Sequence, residues 1–138
     1  MFSMWVIQLS CASSLLSFAG LLAPGGVVYV STPNVLTLAP AGATKSDNPW
    51  HLREYRGEEF TALCRGAFAR VEMLGLFHAR KLWLHERALR LGWDRVHRRL
   101  GITDPFYGWF TPAISSRDFA LRPDRLDRAL DFLAVCGA

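Results

Sequence analysis

The amino-acid sequence predicts an α/β fold. This fold consists of half of a doubly wound sheet and an inserted long amphipathic helix. Short apolar runs rich in β-branched residues alternate with segments whose apolar residues recur every three or four positions. The runs predict buried strands, and the periodic segments predict helices. About four strands are predicted, which corresponds to half of a doubly wound domain. A chain of 138 residues is long enough for one domain with a modest core.

The first part of the chain predicts a strand, a helix, a second strand and a loop. Residues 2–9 predict a short buried strand, and residues 13–22 a helix that the Pro24-Gly25-Gly26 turn would end. The apolar run 27–30 predicts a strand buried on both faces. The segment 35–49 contains two prolines, a glycine and an Asp-Asn pair and therefore predicts a loop.

The second part predicts three helices and two strands. Glu58 and Glu59 favour a helix start, and Phe60 and Cys64 begin its apolar face. Strands are predicted at 71–77 and 130–136, an aromatic loop at 104–112, and a helix that begins near Pro123. Residues 80–100 predict one long amphipathic helix, whose apolar side would consist of Leu82, Leu89, Trp93, Val96 and Leu100.

The positive charge of the chain is concentrated in that long helix. The net charge is +4, and residues 78–100 contain seven basic and two acidic side chains. Such a face is either solvated or a surface for phosphate, nucleic acid or an anionic membrane. We expect the solvated alternative. His78, His85 and His97 lack Asp or Cys partners at metal-ligand spacing, so we expect solvated histidines and no metal site.

The first 44 residues carry no charged side chain. Residues 1–23 are long enough to span a bilayer, but they contain five serines and no basic residue precedes them. We therefore expect a segment buried in the fold rather than a membrane span or a secretory signal. Three distant cysteines cannot form a disulfide framework or a zinc ribbon, which favours a cytoplasmic protein with Cys64 and Cys136 as buried thiols.

Several motifs resemble the class I S-adenosylmethionine-dependent methyltransferases. Residues 21–34 read LLAPGGVVYVSTPN, like the turn that leads into the fifth strand of that family and the end of that strand. Residues 48–55 read NPWHLREY, close to a motif found in many members, and Glu58-Glu59 follow. The string SRDF at 116–119 and the closing residues 126–136 resemble the last segment of the family. Together these motifs cover roughly residues 15–138.

The resemblance implies a partial Rossmann-like sheet, with the strand at 27–31 in its interior and an antiparallel last strand. It implies methyl transfer from S-adenosylmethionine to a small-molecule or glycan-like acceptor. The Gly-rich cofactor turn of the family is missing here. We therefore expect the C-terminal half of the domain, from a truncated or misread start, that alone binds S-adenosylmethionine very weakly. Its parts would be a poorly matching start at 1–14, half of the sheet at 15–77, a helical insertion at 78–122 and a final helix and strand at 123–138.

Four residues are candidates for the site. Asn34 follows a strand at the edge where open α/β sheets bind ligands, so it is a candidate cofactor-binding residue; the alternative is an asparagine that satisfies a turn. His51 is the candidate base or acceptor-orienting group, because histidine titrates near neutral pH. Arg53 and Tyr55 would orient His51 or the substrate, while Glu54 is expected to face solvent. The structural alternative is that these residues fix a loop to the sheet.

A second function, from a different class, also stays open. The basic helix could make the chain a non-catalytic module that docks on an anionic membrane surface or on nucleic acid. Salt-dependent binding to either partner would favour this alternative, although both partners are less expected than a small-molecule substrate.

Overall fold

A computed structural model of the chain describes residues 6–8, 12–40, 42–49 and 53–138. Five strands and six α-helices lie in these ranges. In chain order they are β1 (Val6–Gln8), α1 (Ala12–Leu21), β2 (Val27–Pro33), α2 (Val35–Leu38), α3 (Gly57–Arg65), β3 (Arg70–His78), α4 (Arg80–Arg90), α5 (Trp93–Arg99), α6 (Thr103–Phe110), β4 (Phe119–Arg122) and β5 (Asp131–Gly137).

The strands form one mixed sheet in the order β1-β2-β5-β3-β4. β1 and β2 are parallel, with Ile7 beside Val30, whereas β5 runs antiparallel to both β2 and β3. The predicted strands at 27–31, 71–77 and 130–136 are therefore confirmed in a common sheet. The interior position of β2 and the antiparallel direction of the last strand are confirmed as well.

The chain divides into two compact units, of which the first comprises residues 1–77 and 121–138. Its core lies on one face of the sheet, where α1 and α3 supply Leu15, Phe60 and Cys64. These side chains pack with Phe132 and Ala134 of β5, which are both fully buried. The predicted helices at 13–22 and 58–66 are thus confirmed, as is the apolar face that begins at Phe60.

β2 is not buried on both faces as its apolar sequence predicts. Val28 and Val30 are buried, while Val27 and Tyr29 between them are 41% and 37% exposed. The reason is that side chains alternate along a strand and that, in the described part of the chain, the core cluster lies against the face that carries Val28 and Val30. The expectation of a two-sided buried strand is therefore wrong for β2.

Two local predictions in this unit are also wrong. The segment 35–49, expected to be a loop, begins with the one-turn helix α2, which Asn34 caps through its side chain. The helix expected after Pro123 is only a 3₁₀ turn at Leu126–Arg128, and Arg125 before it has a positive φ of 53°. Such a left-handed residue cannot continue an α-helix from Pro123.

The second unit comprises residues 78–120 and contains two helices where one long helix was predicted. Gly92 has φ +90°, which breaks the hydrogen-bonding pattern between α4 and α5. The helical phase shifts at this break, so Val96 and Leu100 of the predicted apolar side are 45% and 64% exposed. The aromatic segment expected as a loop at 104–112 is mostly the helix α6. Pro105 does not prevent this helix, because it lies in the first turn, where proline is tolerated.

Within the described ranges, no helix is both long and apolar enough to cross a membrane.

Candidate functional site

Asn34 lies at the carboxyl end of β2 and is fully buried. Its side-chain oxygen Oδ1 accepts a hydrogen bond from the Leu36 N–H at 3.0 Å, which caps α2. Its Nδ2 donates to the carbonyl oxygen of Ala129 at 2.8 Å, and the carbonyl oxygens of Leu126 and Asp127 lie 3.3 Å away. The amide thus joins the end of β2 to the turn before β5.

These contacts occupy the oxygen and the nitrogen of the Asn34 side chain. They are the contacts expected from the alternative prediction, in which Asn34 satisfies the backbone groups of a turn. A ligand could bind this amide only by displacing a buried backbone partner, which costs free energy. The role of Asn34 in cofactor binding stays a prediction. Both polar atoms of its side chain already form hydrogen bonds with described residues, so neither is free to bind a cofactor.

The segment around Tyr55 pairs with the end of β2. Tyr55 forms a parallel bridge with Asn34, and the Val35 N–H donates to the Tyr55 carbonyl oxygen at 3.1 Å. The structure therefore brings Tyr55 next to Asn34, although Tyr55 lies 21 positions further along the chain. His51, the predicted base, lies outside the described residues, so its role stays a prediction.

Arg53 and Tyr55 contact each other. The guanidinium carbon of Arg53 lies 4.7 Å from the centroid of the Tyr55 ring, a cation–π contact. Tyr55 is 3% exposed and packs on Phe60 at 5.9 Å between ring centroids, while Arg53 itself is exposed. Tyr55 thus anchors the segment to the core and holds the Arg53 guanidinium at the surface.

A polar cleft of about 250 Å³ adjoins Arg53. Its described lining consists of Thr44, Lys45, Arg53, Glu54 and Glu59. Glu54 was expected to face solvent, but it is buried and accepts hydrogen bonds from both the N–H and the hydroxyl of Ser46. That expectation is wrong, because the carboxylate ties residues 46 and 54 of the loop together. No motif in the sequence pointed to Lys45, Ser46 or Glu59 as neighbours of Arg53.

Cys64 of α3 and Cys136 of β5 are free thiols with no exposed surface, as the sequence predicted. A hydrogen bond to Cys136, together with burial, raises the pKa of Cys64 well above its ordinary value. A protonated, buried thiol is a poor nucleophile, so Cys64 belongs to the core.

The histidines of the second unit are not the solvated side chains expected from the sequence. His97 is 2% exposed, its Nδ1 lies 3.0 Å from the hydroxyl of Thr103, and its ring stacks on Phe106. Its Nε2 is buried and has no hydrogen-bond partner among the described residues. The Gly92 break turns His97 inward by changing the phase of α5. Across the described ranges, no cluster of His, Cys, Asp or Glu could hold a metal ion.

His85 and the rings of α6 form an aromatic cluster. The His85 ring lies 4.5 Å from Phe110 and 5.8 Å from Tyr107, between centroids. Burial, and then the nearby charges of His97 and His78, lower the pKa of His85. Tyr107 and Phe110 thus pack against α4, whereas Trp109 of the same helix is 72% exposed.

Comparison with known proteins shows what the chain is similar to. The chain is 46% identical over 124 residues to a Mycolicibacterium smegmatis protein named probable S-adenosylmethionine-dependent methyltransferase. That match covers 83% of this chain and 47% of the relative. Two Mycobacterium tuberculosis proteins of that description are 43% identical over 65 residues, which is 46% of this chain and 23% of theirs. No family model matches the chain, and no solved structure matches it.

The resemblance read from the motifs is thereby confirmed. The chain is similar over 83% of its length to one protein named probable S-adenosylmethionine-dependent methyltransferase, and over 46% of its length to two others of that description. It spans about half the length of the Mycolicibacterium relative and about a quarter of the two Mycobacterium proteins.

Proposed function

We propose that this chain is the C-terminal half of a class I methyltransferase that transfers the methyl group of S-adenosylmethionine to a small-molecule or glycan-like acceptor. The observation that carries the proposal is the 46% identity over 83% of the chain. The sheet supports it: the interior strand β2 has a parallel neighbour on one side and the antiparallel last strand β5 on the other. This is the arrangement that the motif resemblance implies for the second half of a Rossmann-like sheet.

The domain division follows from the same proposal. Residues 1–138 would be a single incomplete domain with a poorly matching start at 1–14, half of the sheet at 15–77 and a helical insertion at 78–122. Residues 123–138 would end the domain with β5. The free thiols Cys64 and Cys136 support a cytoplasmic protein, because a reducing compartment keeps thiols unpaired.

The residues that the structure describes do not by themselves form a cofactor site. The amide of Asn34 is occupied by backbone partners, and a Gly-rich turn of the kind that permits close backbone approach is missing from the sequence. We therefore place the main cofactor contacts in the part of the relatives that this chain does not match. When bound, S-adenosylmethionine would supply the activated methyl group.

The loop between Asn34 and Tyr55 would border the acceptor. It leaves the carboxyl end of β2, where α/β sheets place their ligands, and it contains the polar cleft beside Arg53. Arg53 offers an exposed guanidinium for an acceptor oxygen, and Tyr55 fixes its position. His51 is our candidate base or orienting group for the acceptor.

Calorimetry with S-adenosylmethionine tests the proposal. The 138-residue chain alone should show little binding, and a fusion to the N-terminal half of the Mycolicibacterium relative should bind in the micromolar range. A fusion that folds, as judged by circular dichroism, and binds no S-adenosylmethionine would contradict a methyltransferase. Micromolar binding by the chain alone would contradict the incomplete domain.

The role of His51 is tested in the same fusion. Methyl transfer is measured with labelled S-adenosylmethionine and a small-molecule extract as the source of acceptor. His51→Ala should lower the rate about 10²-fold or more if His51 is the base, with cofactor affinity nearly unchanged. An unchanged rate combined with a lower melting temperature would make His51 a loop anchor.

A further inference from the structure

The outer face of α4 combines apolar and cationic side chains and contains no carboxylate. Five of its residues are exposed, and so is Leu91, which directly follows the helix as its C-cap: Arg80, Trp83, Leu84, Arg87, Arg90 and Leu91. At 3.6 residues per turn they occupy one arc of roughly 120°. Leu82, on the opposite side, is buried. A solvated helix face should carry polar residues of both signs, so this composition needs another explanation.

The apolar members of this face are strongly exposed. Leu91 is 86% exposed, Leu84 51% and Trp83 45%. They lie on the same side of the helix as the exposed arginines. The whole face extends over about 16 Å, from Arg80 to Leu91. Exposed tryptophan and leucine beside arginine are the side chains that reside at a bilayer interface, since tryptophan prefers the headgroup region and leucine the acyl boundary.

The arginines of the face are available for anions. The guanidinium carbon of Arg87 lies over the Trp83 ring, 4.9 Å from its centroid, in a cation–π contact. Among the described residues, Arg80 and Arg87 have no carboxylate partner, while Arg90 pairs with Glu86. Long arginine side chains can bind lipid phosphates while their neighbours enter the acyl region.

We propose that the outer face of α4 docks on the surface of an anionic lipid bilayer. This inference goes beyond methyl transfer and does not depend on cofactor binding. Nucleic acid fits the arginines but gives Leu84 and Leu91 no apolar partner. A second copy of the chain would bring Arg80 and Arg87, which have no carboxylate partner among the described residues, against the same two cations. An anionic bilayer satisfies both the charge and the apolar area.

Vesicle flotation of the 138-residue chain tests the proposal. Vesicles of phosphatidylcholine with about one third phosphatidylglycerol should bind the chain, and vesicles of phosphatidylcholine alone should bind it much less. Salt at 0.5 M should weaken binding, because it screens surface charge. Arg80→Gln with Arg87→Gln should reduce binding about tenfold or more. Leu84→Gln with Leu91→Gln should reduce it by a similar factor.

Matched variants in the first unit serve as controls. Arg125→Gln with Arg128→Gln removes the same charge, and Leu21→Gln with Leu36→Gln removes the same kind of exposed leucine. Both controls should bind vesicles like the unchanged chain. Equal binding to neutral vesicles, equal losses in the control variants, or binding to duplex DNA with none to vesicles would each overturn the proposal. Dimerisation that Leu84→Gln and Leu91→Gln abolish, with no vesicle binding, would assign the face to a second copy and overturn it too.

Discussion

Asn34 donates a 2.8 Å hydrogen bond to the carbonyl oxygen of Ala129, 95 positions further along the chain. This bond joins the end of β2 to the turn before β5, because Asn34 directly follows β2 and Ala129 precedes β5. Thr37 donates its hydroxyl to the same carbonyl oxygen at 2.9 Å. The start of the loop that leads to Tyr55 is therefore held by one buried and one partly buried hydrogen bond, and not by apolar contacts alone.

Asn34→Ala should destabilise the chain by about 1–3 kcal/mol. The change removes the side-chain acceptor of the partly buried Leu36 N–H, and it removes the Nδ2 donor of the buried hydrogen bond to the Ala129 carbonyl oxygen. The measurement is the free energy of unfolding from urea denaturation. Thr37→Val is the comparison, since this exposed side chain loses one hydroxyl only and should cost about 1 kcal/mol or less. An equal loss of unfolding free energy in the two variants would show that the Asn34 amide contributes no more to stability than the Thr37 hydroxyl.

Gly75→Ala should destabilise the first unit by about 1–3 kcal/mol. A Cβ at Gly75 would lie 2.7 Å from the Cβ of Ala129 and 2.9 Å from Cε2 of Phe77, which is closer than such atoms can pack. Gly20→Ala is the matched control, because a Cβ there meets nothing within 4 Å and lies in a helix, where alanine is preferred. The control should be neutral or more stable by up to about 1 kcal/mol in the same denaturation assay. A tolerated alanine at Gly75 would contradict the close approach of β3 to Ala129.

The second unit should lose stability as the pH falls below about 6.5. Burial lowers the pKa of His85 from its ordinary value of 6.5, with contributions from His97 and His78, so the folded state favours the neutral ring. The contribution of His85 is fully present above pH 6.5 and is lost as the ring becomes protonated at lower pH. Nuclear magnetic resonance titration of the His85 ring should give a midpoint below 6.5. His85→Gln should have a melting temperature that changes less between pH 7.5 and 5.5.

The sequence could predict those elements whose pattern is local. The run at 27–30 and the segment at 71–77 contain enough apolar residues to specify strands. The family resemblance implies the interior position of the first strand and the antiparallel last strand, while the pairing of both strands with β5 comes from the structure. The burial of β2 on one face could not be predicted, because it depends on which helices cover the sheet. The proximity of Arg53 to Lys45 also depends on how the loop folds back, which no sequence period encodes.

The histidines show a second limit of sequence reasoning. The pattern at 80–100 fits one helix, and a glycine within such a pattern is normally only a weak signal for a break. Once Gly92 interrupts the helix, every later residue changes its direction, so that His97 becomes buried and Leu100 exposed. Because the break at Gly92 was not predicted, the burial predicted for the helical turns that follow it was wrong.

The break between α4 and α5 depends on the glycine at position 92. Gly92→Ala should destabilise the second unit by about 1–2 kcal/mol, because a residue with a Cβ is strained at φ +90°. The nearest side-chain atom, Cδ of Arg95, would be 3.9 Å from the new Cβ, so the cost comes from the backbone and not from a clash. Gly108→Ala, in α6 with nothing within 4 Å, should instead be neutral or slightly stabilising. Thermal denaturation followed by circular dichroism compares the two variants. A Gly92→Ala protein with higher stability and greater helical signal would mean that α4 and α5 can join into the single helix that the sequence predicts.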